Sequence, residues 1–134
     1  MISVDTNILV RTVLDDNEIE SAQAIAILKK AVAEKRLFVS VYVILEMTWV
    51  LKVKKRSRTQ IQAAILNLLD SPGIQVSQRD TIMSALELYI KGKADFSDYL
   101  ILADSQHHNV KQLASFDKLF CKDVECVVTP VSLI

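Results

Sequence analysis

The chain has 134 residues, 51 % of them apolar and 24 % charged, with two Gly and two Pro. That length is enough for one domain burying roughly two-thirds of its unfolded surface, and the composition excludes a disordered or collagen-like chain. Sixteen basic residues balance sixteen acidic ones, so a protein that coats nucleic acid through its overall charge is excluded and any such contact must be local. Cys121 and Cys126 are the only cysteines. They are too few for a disulfide scaffold, lack zinc-site partners and read as idle thiols of a reducing cytosol. The N-terminus shows no signal-peptide pattern, and the longest apolar stretch, Leu37 to Leu51, is interrupted by Ser40, Glu46 and Thr48. It is too short to span a bilayer, so the expectation is a cytoplasmic protein without a membrane anchor.

Short β-competent runs alternate with helical ones along the whole chain. Met1 to Val4 reads as a first strand, running into Asp5-Thr6-Asn7 and a fresh apolar run from Ile8. After Asp15-Asp16-Asn17 the pattern predicts a helix over Glu18 to Lys35, capped by Asn17 with Glu20 as its capping-box partner. Leu37 to Val39 is a second strand, and Ser40 caps a helix whose apolar positions include Ile44, Met47, Val50 and Leu51. A basic run, Lys52 to Arg58, leads into the capping-box pair Ser57 and Gln60 and a helix with a buried stripe of Ile61, Ala64, Ile65, Leu68 and Leu69. Ser71-Pro72-Gly73 ends it, and Ile74 to Val76 is a small edge strand or connector.

The second half continues the alternation. A helix over Arg79 to Lys91 stops at Gly92, read as its left-handed cap. Ser97 caps a helix over Asp98 to His108, which Asn109 ends in the same left-handed way. A strand lies within Val110 to Ser115, a helical turn over Lys118 to Phe120, and a last strand over Glu125 to Thr129. The alternation predicts an α/β three-layer sandwich, a mainly parallel central sheet flanked by helices, in a single domain over residues 1–134.

Four carboxylates occupy equivalent places near strand ends or in the following helices: Asp5, Glu46, Asp98 and Asp117. The carboxyl ends of parallel strands share one edge, so these residues are expected to converge. Carboxylates about 4 Å apart repel by roughly 4 kcal/mol at an effective dielectric near 20, and a cluster of them requires a cation. Oxygen donors of this hardness suit Mg²⁺ or Mn²⁺ rather than zinc, and such an ion activates water for in-line hydrolysis of a phosphodiester. Singly, each acid has a plain structural role: Asp5 in a turn, Asp98 in a first helical turn, Asp117 as a cap. Glu46, among Val43, Ile44, Leu45, Met47, Trp49 and Val50, is expected to be buried, where an unpaired carboxylate is costly.

Val4-Asp5-Thr6-Asn7-Ile8-Leu9, Glu46 within Ile44 to Leu51, Asp95-Phe96-Ser97-Asp98-Tyr99-Leu100-Ile101 and Ser115-Phe116-Asp117-Lys118-Leu119-Phe120 resemble the successive motifs of PIN-domain ribonucleases. Among these the VapC toxins of bacterial toxin–antitoxin pairs are the nearest match. The resemblance implies a Mg²⁺-dependent endoribonuclease that leaves 5′-phosphate and 3′-hydroxyl ends. Its metal-binding acids correspond to Asp5, Glu46, Asp98 and Asp117, with Asp95 as a secondary acid and Thr6, Asn7 and Ser115 orienting them. It also implies an RNA substrate, a homodimer and a VapB-type antitoxin. Asp104 departs from the pattern and is read as solvent-facing.

Arg11 and Lys118 are candidate phosphate ligands, and the Lys52 to Arg58 run is either a solvated loop or a phosphate contact. His107 and His108 read as cations suited to a helix end. Trp49 reads as core or subunit interface. Mean hydropathy is positive, +0.27, and points to apolar surface kept for a partner, with the helices near Ile25 to Val32 and Ile61 to Leu69 as candidates. A haloacid-dehalogenase-like phosphatase would need a second Asp where Asn7 stands, and a receiver domain would need a phosphoacceptor after a middle strand. The remaining alternative is a PIN domain that binds RNA or protein without cutting it, or one with a housekeeping role.

Overall fold

The computed structural model describes residues 1–14 and 16–134; Asp15, expected in the turn before the second helix, lies outside them. The chain forms two compact units, Met1–Arg79 and Asp80–Ile134.

The first unit contains β1 (Ile2–Ser3), α1 (Thr6–Leu14), α2 (Glu18–Ala33), β2 (Leu37–Val39), α3 (Val41–Val53), α4 (Arg58–Asp70) and β3 (Ile74–Val76). Its three strands form a parallel sheet in the order β1-β2-β3, with Ile2 opposite Leu37 and Leu37 opposite Ile74. Parallel pairing requires a crossover between successive strands, and helices supply both. Three of these helices begin at neutral side-chain caps. Asn17 accepts from Glu20 N, Ser40 from Tyr42 N, and Ser57 with Gln60 forms a full capping box. The end of β3 is tied to the start of α3 by Ser77 Oγ, which accepts from Val41 N at 2.8 Å. Leu9, Val39, Ile44, Met47, Leu51 and Ile65 are the centre of the core.

Several expectations change here. The sequence reading assigned no helix after the first strand, yet α1 begins at Thr6. Its start was hidden because Asp5, read as a ligand, is also the residue that caps it. Trp49 is not in the core but exposed, and Glu46 is exposed as well. The near-continuous apolar run of α3 suggested burial on all sides, but only one side of the helix meets the unit's core.

The second unit contains α5 (Arg79–Lys91), α6 (Phe96–His107), β4 (Leu113–Ala114), α7 (Lys118–Asp123), β5 (Val127–Val128) and a closing 3₁₀ turn, Pro130–Leu133. β4 and β5 pair in parallel, Leu113 opposite Val127. An aromatic chain fills the interior: Tyr89 meets Phe96 edge-on at 5.7 Å, and Tyr99 meets Phe120 edge-on at 5.5 Å between ring centres. Such pairs contribute about 0.5–1.5 kcal/mol each beyond the area they bury. The N-cap of α6 is Asp95, two residues before the expected Ser97. Asn109 does adopt the left-handed conformation, φ 63°.

Gly92 does not adopt it; no glycine has positive φ. Its requirement is space. A Cβ at Gly92 would stand 1.8 Å from the Tyr99 hydroxyl and 2.9 Å from Asp123 Oδ2. Overpacking of this kind costs about 1–3 kcal/mol. Gly92→Ala is therefore expected to lower the unfolding free energy by an amount in that range, read as a lower urea midpoint with the m-value unchanged. An unaltered midpoint would show that the Tyr99 seat is not tight.

Candidate active site

Asp5 and Glu46 belong to the first unit, and Asp95, Asp98 and Asp117 to the second. Asp5, Asp95, Asp98 and Asp117 are positioned by the starts of helices, whereas Glu46 lies inside α3. The first four N–H groups of any helix lack intrahelical partners, and a carboxylate there both accepts a bond and meets the positive end of the helix dipole.

Asp5 follows β1, and its Oδ1 accepts from Ile8 N at 3.3 Å, the bond of an N-cap residue. Asp117 follows β4 and caps α7, with Oδ1 accepting from Phe120 N at 3.1 Å. Ser115 Oγ accepts from Asp117 N at 3.0 Å, which fixes the backbone that presents this acid. Asp95 and Asp98 form a reciprocal capping box at the head of α6, with Asp98 Oδ2 accepting from Asp95 N at 3.2 Å. Asp95 and Asp98 are both half-buried, Asp5 and Asp117 exposed. A carboxylate offers about four acceptor positions, so a cap bond orients the group without exhausting it.

The secondary residues divide. Thr6 is buried and Asn7 exposed at the first turn of α1, while the bond that orients Asp5 comes from the Ile8 backbone. Glu46 is exposed in the second turn of α3, so the desolvation expected to single it out is absent. Asp104 is exposed, as expected, and His108 bonds its backbone carbonyl at 2.9 Å. His107 Nδ1 lies 2.9 Å from Thr81 Oγ1. Among the described residues no group of three or more His, Cys, Asp or Glu side chains is drawn together for metal ligation.

Arg11 is engaged within the fold. Its guanidinium hydrogen-bonds Asp16, and Nε lies 2.7 Å from Glu20 Oε2, close but not aligned for a hydrogen bond to it. The hydrogen bond to Asp16 holds Arg11 above its ordinary value, and the same bond holds Asp16 below its own. Lys118, the first residue of α7, is exposed.

Two residues that the sequence did not single out organise the approach to Asp95. The wholly buried Tyr99 donates from its hydroxyl to Asp123 Oδ2 at 2.7 Å and accepts from Ala94 N at 3.1 Å. Asp123 Oδ2 also accepts from Lys93 N at 2.7 Å. The segment from Gly92 to Ala94, which delivers the chain to the α6 capping box, is thus held by one side-chain pair. Gly92 was the signal available in the sequence, once understood as a close approach instead of a turn.

Asp5 lies two residues past β1 and Asp117 three past β4, near the carboxyl ends of parallel strands, where α/β folds place their ligand sites. The PIN domain family matches residues 2–123, and the chain belongs to that family, whose fold is in general a nuclease fold. No match was found among curated proteins. No helix among the described residues is long and apolar enough to cross a membrane.

The Asp123 contacts carry a pH dependence. The Lys93 N–H, then the Tyr99 hydroxyl, hold its carboxyl below the ordinary 3.8. A lowered folded-state pKa contributes stability that is complete above the unfolded value and is lost as pH falls through the folded one. Asp123→Asn is expected to cost about 1 kcal/mol near neutral pH, modest because the group is exposed to solvent. Denaturation curves of the two proteins should converge as pH falls through the lowered folded-state value of Asp123; a gap that persists once the carboxyl is protonated would remove the charge from the explanation.

Proposed function

We propose that this protein is a Mg²⁺-dependent endoribonuclease, with Mn²⁺ able to substitute, and that it acts as the toxin of a VapBC-type pair. The observation that carries the reading is the set of acids at helix starts in a PIN-family chain. Asp5 and Asp117 each have one oxygen fixed by a cap bond, and Asp95 and Asp98 are locked in a box.

The donor set fits the ion. It is all carboxylate, and Mg²⁺ is commonly held by one or two carboxylates with water and substrate phosphate completing the shell. In this reading Asp5 and Asp98 are the principal ligands, and Glu46 and Asp117 complete the acidic set. When bound, Mg²⁺ supplies Lewis-acid activation of water and shields the phosphate charge. The chain's own contribution is orientation. The Ile8, Phe120 and Asp95 amides restrict the carboxylate rotamers before substrate arrives, so less ordering remains when it binds. N–H groups at the starts of α1, α6 and α7 favour an approaching phosphate. Lys118 adds a cation beside Asp117, whereas Arg11 would reach a phosphate only by exchanging Asp16 or Glu20 for it.

The partners in this reading are an RNA substrate, a VapB-type antitoxin and a second copy of the chain in a homodimer, all in the cytoplasm. Ile25 and Ile27 on α2 are exposed apolar residues available to such a surface.

Asn caps helices about as well as Asp, and its amide oxygen can accept the Asp95 N–H bond that Asp98 accepts, so Asp5→Asn and Asp98→Asn separate charge from hydrogen bonding. Each is expected to keep its far-UV circular dichroism and melting temperature yet lose at least about a hundredfold in RNA cleavage, more than supporting residues of metal sites usually cost. EDTA should abolish wild-type cleavage and added Mg²⁺ restore it, and the exposed Asp104→Asn should cut normally. Full activity in Asp5→Asn would refute the assignment, and RNA binding without cleavage under any divalent ion would make the chain a non-catalytic scaffold.

A further inference from the structure

The two sides of α3 differ sharply. Val41, Ile44, Met47, Thr48 and Leu51 are its buried residues. At 3.6 residues per turn, Tyr42, Glu46, Trp49 and Val53 fall within an arc of roughly 60° on the opposite side. Tyr42 is 71 % exposed, Trp49 67 % and Val53 57 %. Two large aromatic rings on one solvent-facing strip, with a carboxylate between them, are surface kept for a ligand. The strip runs directly into Lys52, Lys54, Lys55, Arg56 and Arg58, of which Lys52, Lys54 and Lys55 are exposed.

That combination selects among occupants. An apolar protein surface would match the rings but not a run of cations. A duplex would match the cations but keep its bases stacked away from the rings. Single-stranded RNA offers both flat bases and phosphates. We propose that the exposed face of α3 is a single-stranded RNA platform, on which Tyr42 and Trp49 stack bases and the Lys52 to Lys55 end takes phosphates. The proposal rests on the ribonuclease reading above and states where the strand lies. Tyr42 and Trp49 are seven residues apart, about 10 Å along the helix axis, and bracket Glu46, so the stacked bases flank the linkage presented to that acid. The second unit repeats the pairing of ring and acid: Phe116, immediately before Asp117, is 88 % exposed.

Trp49 is the only tryptophan, so its fluorescence reports on this face alone. The full chain in EDTA, which blocks metal-dependent cutting, is titrated with a fluorescein-labelled single-stranded oligouridylate and with a duplex RNA of equal length. The single strand is expected to quench Trp49 emission saturably and to bind more tightly than the duplex. By anisotropy, Tyr42→Ala and Trp49→Ala each weaken binding about tenfold with melting temperature unchanged, and Trp49→Phe less. Lys54→Gln with Lys55→Gln weakens binding and lowers its salt dependence.

Unquenched emission, equal affinity for the duplex, or wild-type affinity in Trp49→Ala overturns the platform. A monomer–dimer equilibrium abolished by Trp49→Ala, with RNA affinity unchanged, assigns the face to a second copy instead. The two readings fail separately. If Asp5→Asn stops cleavage while Trp49→Ala binds and cuts normally, the nuclease stands and the platform falls. Quenched, tight binding without cleavage under any divalent ion does the reverse.

Discussion

Every helix starts with backbone N–H groups that have no intrahelical partner, and this chain meets that constraint with short polar side chains. Asn17, Ser40 and Ser57 cap α2, α3 and α4. Aspartates do the same work at α1, α6 and α7, through Asp5, Asp95 and Asp117. As caps, Ser, Asn and Asp are nearly equivalent, and the negative charge at those three helices adds a favourable interaction with the helix dipole. Helix capping thus orders the local fold and sets a carboxylate at each of those helix starts.

Local patterns of this kind were legible in the sequence wherever both partners of an interaction lay within one turn. The Ser57 and Gln60 box, the Asn17 and Ser40 caps, and the strands Leu37–Val39 and Ile74–Val76 all stand as the pattern placed them. What escaped were features set by distant neighbours. Gly92 looked like a turn, because the Tyr99 hydroxyl that needs its missing side chain is supplied by tertiary packing. The Asp95–Asp98 box at the start of α6 is the exception, a local pair within one turn that the expected Ser97 cap obscured. Asp123 carried no motif at all. Of the candidate site, the places of Asp98 and Asp117 at helix starts were readable; the helix that Asp5 caps and the exposure of Glu46 were not.

Glu46 and Trp49 show the same limit from the other direction. An apolar helix reads as buried all round because hydropathy has no memory of which side faces a partner. In α3 the buried positions repeat at helical spacing and leave the opposite strip to Tyr42, Glu46, Trp49 and Val53. Net charge hides a similar division. Arg11 is neutralised internally by Asp16 and Glu20, whereas the cations after α3 cluster in a short stretch, so a balanced total coexists with a locally basic surface.

The register of the first sheet bears on how the protein is made. Ile2 pairs with Leu37, and Leu37 with Ile74, partners roughly 35 residues apart on each side, with no hairpin to bring any of them together. Such pairings form late, because chain-closure entropy is lost before the contact repays it. The last of the three strands nevertheless ends at Val76, and chains fold progressively from the N-terminus during translation. The ribosome thus adds every residue of the first sheet before it reaches Asp95, Asp98 and Asp117.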